Sequence, residues 1–173
     1  MTITVSSDYK TSKGSLNNII DGNRTSYWGA QDAQTAGKSI TFSFSGPVTF
    51  KGMTAVSGSA NGTQILKGTL LQVSRDGSSW KDVGSFDGQL TSMISGINEH
   101  RVIAVRILWN SGNNKRLAFY EAGLDYSEEY AYRKVDGIWI PIQAAYRKRA
   151  AGWVETKDLS DIQNENLIER GTE

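Results

Sequence analysis

Ser15-Leu-Asn-Asn-Ile-Ile-Asp-Gly-Asn-Arg-Thr-Ser-Tyr-Trp28 is the stretch from which the rest of the chain reads. Apolar Leu16, Ile19 and Ile20 lead into Asp21-Gly22-Asn23. There glycine supplies a positive φ and the Asx side chains cap their own backbone. Thr25, Ser26 and Trp28 follow at once. Short oxygen-bearing side chains around a tight turn are what a hard cation needs. The Asp21 carboxylate, the Ser26 hydroxyl and nearby backbone carbonyls can share one pocket. The same residues equally make a plain hydrogen-bonded Asx turn with Trp28 plugging the core. Spacing leaves both readings open.

Outward from this turn, the chain to residue 126 reads as short strands between turns, without a helical period. Ile40, Phe42 and Phe44 alternate with Thr and Ser, the period of a half-buried strand. Gly46-Pro47 predicts a break, with a second strand over Val48 to Val56. Ser57 to Thr63 has loop composition. Leu71 and Val73 run into Asp76-Gly77, a hairpin signal, and Trp80 and Val83 return from it. Ile103, Val105, Ile107 and Trp109 give the cleanest alternation. Many short strands with turn punctuation predict an all-β fold, a two-sheet antiparallel sandwich.

The 173 residues suit one medium domain plus an appendage. A net charge of +1 argues against a nucleic-acid partner. There is no cysteine, hence no disulfide and no cysteine nucleophile, and the single histidine, His100, reads as an exposed turn residue. No apolar run approaches the ~20 residues of a membrane span. No nucleophile elbow, phosphate-binding glycine loop or His–carboxylate set appears, so no catalytic residue is assigned and no enzyme is expected.

Asn18-Ile-Ile-Asp-Gly-Asn-Arg-Thr-Ser-Tyr-Trp28 resembles the signature of the discoidin, or coagulation-factor type C, domains, which are galactose-binding-like jelly-roll β-sandwiches. The resemblance continues in order with Ser39-Ile-Thr-Phe-Ser-Phe44, the run Leu71 to Val83, Arg101-Val-Ile-Ala-Val-Arg-Ile107 and the run Phe119 to Tyr126. It covers the first 126 residues. It implies a structural calcium at the Asn18 backbone carbonyl, Asp21, Asn23, Ser26 and Glu121. It also implies sugar recognition by loops at one end of the sandwich, where an aromatic ring stacks on a pyranose and Arg or Asn bonds its hydroxyls. The matching candidates are Arg24 and Tyr27 after the turn, and Trp109, Asn110, Asn113, Asn114 and Arg116 before the last strand. Tyr27 also reads as ordinary surface and Trp109 as ordinary core.

After Tyr126 the character changes. Residues 127–156 hold a repeat, Ala131-Tyr-Arg-Lys-Val-Asp-Gly-Ile-Trp-Ile140 echoed by Ala145-Tyr-Arg-Lys-Arg-Ala-Ala-Gly-Trp-Val154. Each copy reads as strand, turn, strand. It resembles the Tyr-x-Lys…Gly-x-Trp hairpins of phage tail and virion proteins. Tyr132, Trp139, Tyr146 and Trp153 are expected to form an interface with another chain, an anchoring or oligomerisation element. Residues 157–173 form a polar, acidic tail or arm. Met1 to Tyr9 lacks the basic start and apolar run of a signal peptide. The combined expectation is a virion protein of a tailed bacteriophage, made in the host cytoplasm. It displays a carbohydrate-binding-like module to a host cell-surface glycan, with other virion proteins or its own copies as partners. The alternatives are a purely structural decoration or adaptor protein without glycan binding, and a free lectin-like module.

Overall fold

The computed structural model describes residues 1–58 and 64–129, and the backbone of four further strands between 131 and 156. Residues 1–129 and 130–173 are separate compact units. The first unit therefore ends three residues beyond Tyr126.

Within the first unit the strands are β1 (Ile3–Ser7), β2 (Thr11–Lys13), β3 (Trp28–Ala33), β4 (Ser39–Ser57), β5 (Lys67–Ser74), β6 (Lys81–Asp87), β7 (Thr91–Ile94), β8 (Glu99–Trp109) and β9 (Arg116–Glu128). Every pairing among them is antiparallel. One layer runs β1, the first half of β4, β8, β5, β6. The other runs β2, β3, β9, the second half of β4, β7. This is the expected two-sheet sandwich.

The expected break at Gly46-Pro47 is instead the point where one continuous strand of 19 residues changes partners. Ser43 pairs with Ala104, whereas Val48 pairs with Val102 and Glu128. A proline lacks the ladder donor, so pairing shifts register around it. That shift also alters β8: Val102 is fully buried and joins the core, while Ile103 is half-exposed.

Alternation fills the space between the layers with Ile40, Phe42, Val105, Ile107 and Leu71, all without exposed surface. Trp28, Phe50, Trp109 and Phe119 are equally sealed. Each such side chain contributes about 1.5–3 kcal/mol relative to exposure. A 3-10 turn, Leu16–Ile19, capped by the Ser15 hydroxyl, pushes Ile19 into this core.

His100 lies within β8 and not in a turn. Its ring is exposed at the surface, with Nδ1 3.0 Å from Thr49 Oγ1 and 3.2 Å from Glu129 Oε1. The same carboxylate oxygen accepts from the Thr49 hydroxyl at 2.7 Å and the Arg101 N–H at 2.9 Å. Glu129 thus pins the end of β9 to β4 and β8. Among the described residues no helix is long and apolar enough to cross a membrane.

The second unit contains hairpins β10–β11 (Ala131–Val135, Ile138–Ile142) and β12–β13 (Ala145–Arg149, Gly152–Thr156). Lys134 pairs with Trp139, and Lys148 with Trp153. The side chains of Tyr132, Trp139, Tyr146 and Trp153, and the tail 157–173, lie outside the described residues.

Candidate functional site

The turn after the 3-10 segment is built from its own short side chains. Asp21 Oδ1 accepts the Asn23 N–H at 2.8 Å, and Oδ2 accepts the Ser26 hydroxyl at 2.7 Å. Asn23 Oδ1 accepts from both the N–H and hydroxyl of Thr25, at 3.0 and 2.7 Å. The Asn23 side chain therefore holds Thr25, and its backbone carbonyl takes the Ser26 hydroxyl at 2.9 Å. Asn18 directs its amide nitrogen to the Tyr27 carbonyl at 3.2 Å. Trp28, fully buried, donates its ring N–H to Thr11 at 2.8 Å. So far this is the Asx turn with a core plug.

Glu121 adds what the hydrogen bonds do not explain. It reaches the turn from β9, where Glu121 pairs with Val56. Its Oε2 is buried and has no hydrogen-bond partner. Burial raises its pKa, the Asp21 charge raises it further, and the Gly22 N–H and the Arg24 charge oppose them. Two carboxylates near enough for one charge to act on the other, one with an orphaned buried oxygen, make an arrangement that a hard cation relieves. Among the described residues no three His, Cys, Asp or Glu side chains converge as a metal cluster. A cation here would rest on Asp21, Glu121 and the neutral oxygens of Ser26, Asn23 and Asn18. The residues fit calcium.

The other candidates cluster at the far end of β3. The β3–β4 connection, the Gln64–Leu66 segment and the β8–β9 loop are knitted by Gln34, which is 2% exposed. Its Nε2 donates to the Ile65 carbonyl at 3.0 Å, and its Oε1 accepts the Trp109 ring N–H at 2.7 Å. Its backbone exchanges hydrogen bonds with Lys115 and Asn113, both at 2.9 Å. Gly68, at φ +65, packs so closely that a Cβ would meet Ser111 Oγ at 2.0 Å. The loop 110–115 is therefore held from several sides.

On this support Asn110, Asn114 and Arg116 are exposed. Among the described residues their side chains make no hydrogen bond or ion pair. Asn113 is half-buried, and its Oδ1 caps the Lys115 N–H at 2.8 Å. It shapes the loop and keeps its amide nitrogen unspent.

Trp109 is not part of any surface. It has no exposed area, and its ring meets Tyr9 edge-on at 5.2 Å. A ring without exposed surface cannot stack on a sugar, so the expectation of Trp109 as a ligand platform is corrected to core.

Nor are the candidates at one end, as expected. Trp28 pairs with Phe119 and Ala33 with Arg116, so Tyr27 and Arg116 sit at opposite ends of β3, on the order of 10 Å or more apart at ~3.3 Å per residue. Arg24 and Tyr27 belong with the calcium-type turn, where Tyr27 meets Tyr120. Gln34, Tyr9 and Tyr120 were not anticipated. Gln34 and Tyr9 lie in stretches without periodicity or motif, and Tyr120 lies inside the Phe119 to Tyr126 run without being singled out by it. Only the tertiary contacts reveal the three.

An antiparallel two-sheet sandwich, with a turn carrying carboxylates at one end of β3 and braced loops at the other, defines the class of fold. The chain belongs to the F5/8 type C domain family, whose model matches residues 2–121. No curated protein sequence matches it. Among solved structures it is similar to CBM32-1 from a family 31 glycoside hydrolase of Clostridium perfringens. The identity is 15%, the TM-score 0.60, and the match covers 70% of this chain and 92% of that one. It is similar to CpGH89CBM32-5 of Clostridium perfringens in complex with GalNAc-β-1,3-galactose, at 16% identity and TM-score 0.60, covering 70% and 94%. It is also similar to the family 32 module of Clostridium perfringens NanJ in complex with galactose, at 13% identity and TM-score 0.59, covering 72% and 93%. The sandwich has the fold of a carbohydrate-binding module.

Proposed function

We propose that residues 1–129 bind glycans without catalysing a reaction on them, through the loop cluster that carries Asn110, Asn113, Asn114 and Arg116. The observation that carries this reading is the braced loop itself. Unspent amide and guanidinium groups stand on a rigid support, and polar groups that are already positioned bind sugar hydroxyls with little ordering cost. The similar modules bound to galactose and to GalNAc-β-1,3-galactose support a neutral galactose-type sugar. Arg116→Ala tests it. The loss of charged hydrogen bonds should weaken binding about tenfold or more with the fold unchanged. Unchanged affinity would refute this loop as the site.

Calcium is part of the proposal, held by Asp21, Glu121, Ser26 and the carbonyls of Asn23 and Asn18. It would neutralise the two carboxylates and tie β9 to the turn, a structural role.

The finer reading is display on the virion of a tailed bacteriophage, supported by the tandem hairpins that follow the sandwich. Such display would turn weak binding into avidity through many copies, with Tyr132, Trp139, Tyr146 and Trp153 facing another virion protein or a second copy. The family fold and the sugar-bound neighbours support a free lectin-like module equally well. Co-purification with intact particles separates the two readings, because a free module leaves the particle fraction.

A further inference from the structure

We propose that Tyr27 and Tyr120, flanked by Lys13 and Arg24, form a second glycan-contact surface that takes an acidic pyranose, a uronate ring. It is separate from the loop cluster, and it rests on the reading of the sandwich as a carbohydrate-binding module. The two rings lie 5.1 Å apart, tilted by 34°. Both are half-exposed and neither belongs to the core cluster. Among the described residues neither phenol hydroxyl has a hydrogen-bond partner, so both are left to solvent or to a ligand.

The platform is also fixed before any ligand arrives. The Tyr27 carbonyl is held by Asn18 at 3.2 Å. Gly14, at φ +72, presses against that carbonyl so tightly that a Cβ would come within 2.0 Å of it. The ring lies over the sheet beside Gly29, where a Cβ would be in ordinary contact with it, 3.5 Å from Tyr27 Cε2. Planar rings held at the surface suit the apolar face of a pyranose.

Charge selects which pyranose. Lys13 Nζ stands 5.3 Å from the Tyr27 ring centroid. Arg24, three residues before Tyr27, is exposed, and its charge is felt by Glu121, the residue after Tyr120. Among the described residues neither cation has an ion pair, whereas Arg75 and Lys81 share Glu99 and Lys38 meets Asp32. The nearby carboxylates are the two that the proposed calcium would neutralise, so with the ion bound they do not cancel this. Asp21 accepts from Asn23 and Ser26 on the side of the turn, and Glu121 keeps a buried oxygen without a partner. A sugar ring seated on the tyrosines would bring a ring carboxylate within reach of two cations that have no ion pair among the described residues.

The test is calorimetric titration of the full chain with oligogalacturonate and with a neutral galactose oligosaccharide, followed by amide NMR shifts. Tyr120→Ala and the exposed Lys13→Glu should each weaken uronate binding at least tenfold, and uronate should shift the amides of Gly29 and Tyr120. Arg116→Ala should weaken only the neutral sugar. Uronate affinity that survives both platform changes, or that falls only with Arg116→Ala, overturns the second surface and leaves the loop site standing. A wild type that binds neutral sugar but no uronate overturns the second surface in the same way. Binding of neither sugar overturns both readings.

Discussion

At the scale of single residues, one glutamate inside β9 and another just past its end behave oppositely. Glu121 is disfavoured as an anion by burial and by Asp21, with one oxygen orphaned. Removing its charge therefore costs the cation-free protein nothing. In chelator, Glu121→Gln should melt at or above the wild type. Calcium at a hundredfold its Kd should raise the wild-type Tm by about 5–10 °C and leave Glu121→Gln unmoved. A wild-type Tm that ignores both chelator and calcium would show that the turn holds no metal. For Glu129, burial alone would raise the pKa. Hydrogen bonds from Thr49, Arg101 N–H and His100 outweigh it, so the carboxyl lies below its ordinary value. A depressed acid stabilises the fold above its unfolded pKa, and that contribution is lost as pH falls through the folded value. Scanning Tm against pH should show a decline below about pH 4 that Glu129→Gln flattens. The same variant should cost about 1–2 kcal/mol at neutral pH.

At the scale of elements, the β8–β9 loop works because other elements hold it. Gly68 on β5 has a positive φ and no room for a Cβ against Ser111. Gly68→Ala must displace that loop, so it should cost about 1–3 kcal/mol and weaken glycan binding in parallel. Affinity and Tm measured on the same preparation check this. A full loss of stability with affinity intact would show that the loop's position is irrelevant to the ligand. Gln34 has the same bracing role from the end of β3, through a buried amide that satisfies Trp109 and the Ile65 carbonyl at once. Leaving either unsatisfied is expensive in a dry interior.

At the scale of the molecule, the sandwich closes at Glu129. Ser127 and Glu128 still pair with Thr49 and Val48, and the Glu129 N–H donates to the Pro47 carbonyl at 3.2 Å. A chain ending after Glu129 should unfold cooperatively with the Tm of the full-length sandwich. One ending after Tyr126 loses those ladder bonds and the carboxylate clasp, and should melt several degrees lower. Calorimetry on the two truncations decides the boundary, and equal Tm values would place it at Tyr126. If the hairpins anchor the protein, the Glu129 truncation should also bind glycan normally yet fail to enter particles.

Local patterning by itself determined the class of this protein. The alternation of Ile40, Phe42 and Phe44 and of Val105, Ile107 and Trp109 dictates which faces are buried, because side chains in a strand alternate at every residue. The run Asn18 to Trp28 carried the turn and its oxygens, because an Asx turn is made by neighbours in the chain. The tertiary structure decided what depends on distant partners. It carried β4 unbroken through Pro47 by changing its neighbours, and it buried Trp109 by supplying Gln34 and Tyr9. It also separated Tyr27 from Arg116 along β3, and brought Glu121 to Asp21 and Tyr120 to Tyr27 from far along the chain. Burial, interacting charges and ring contacts are properties of pairs, and a pair so far apart in sequence has no local signal.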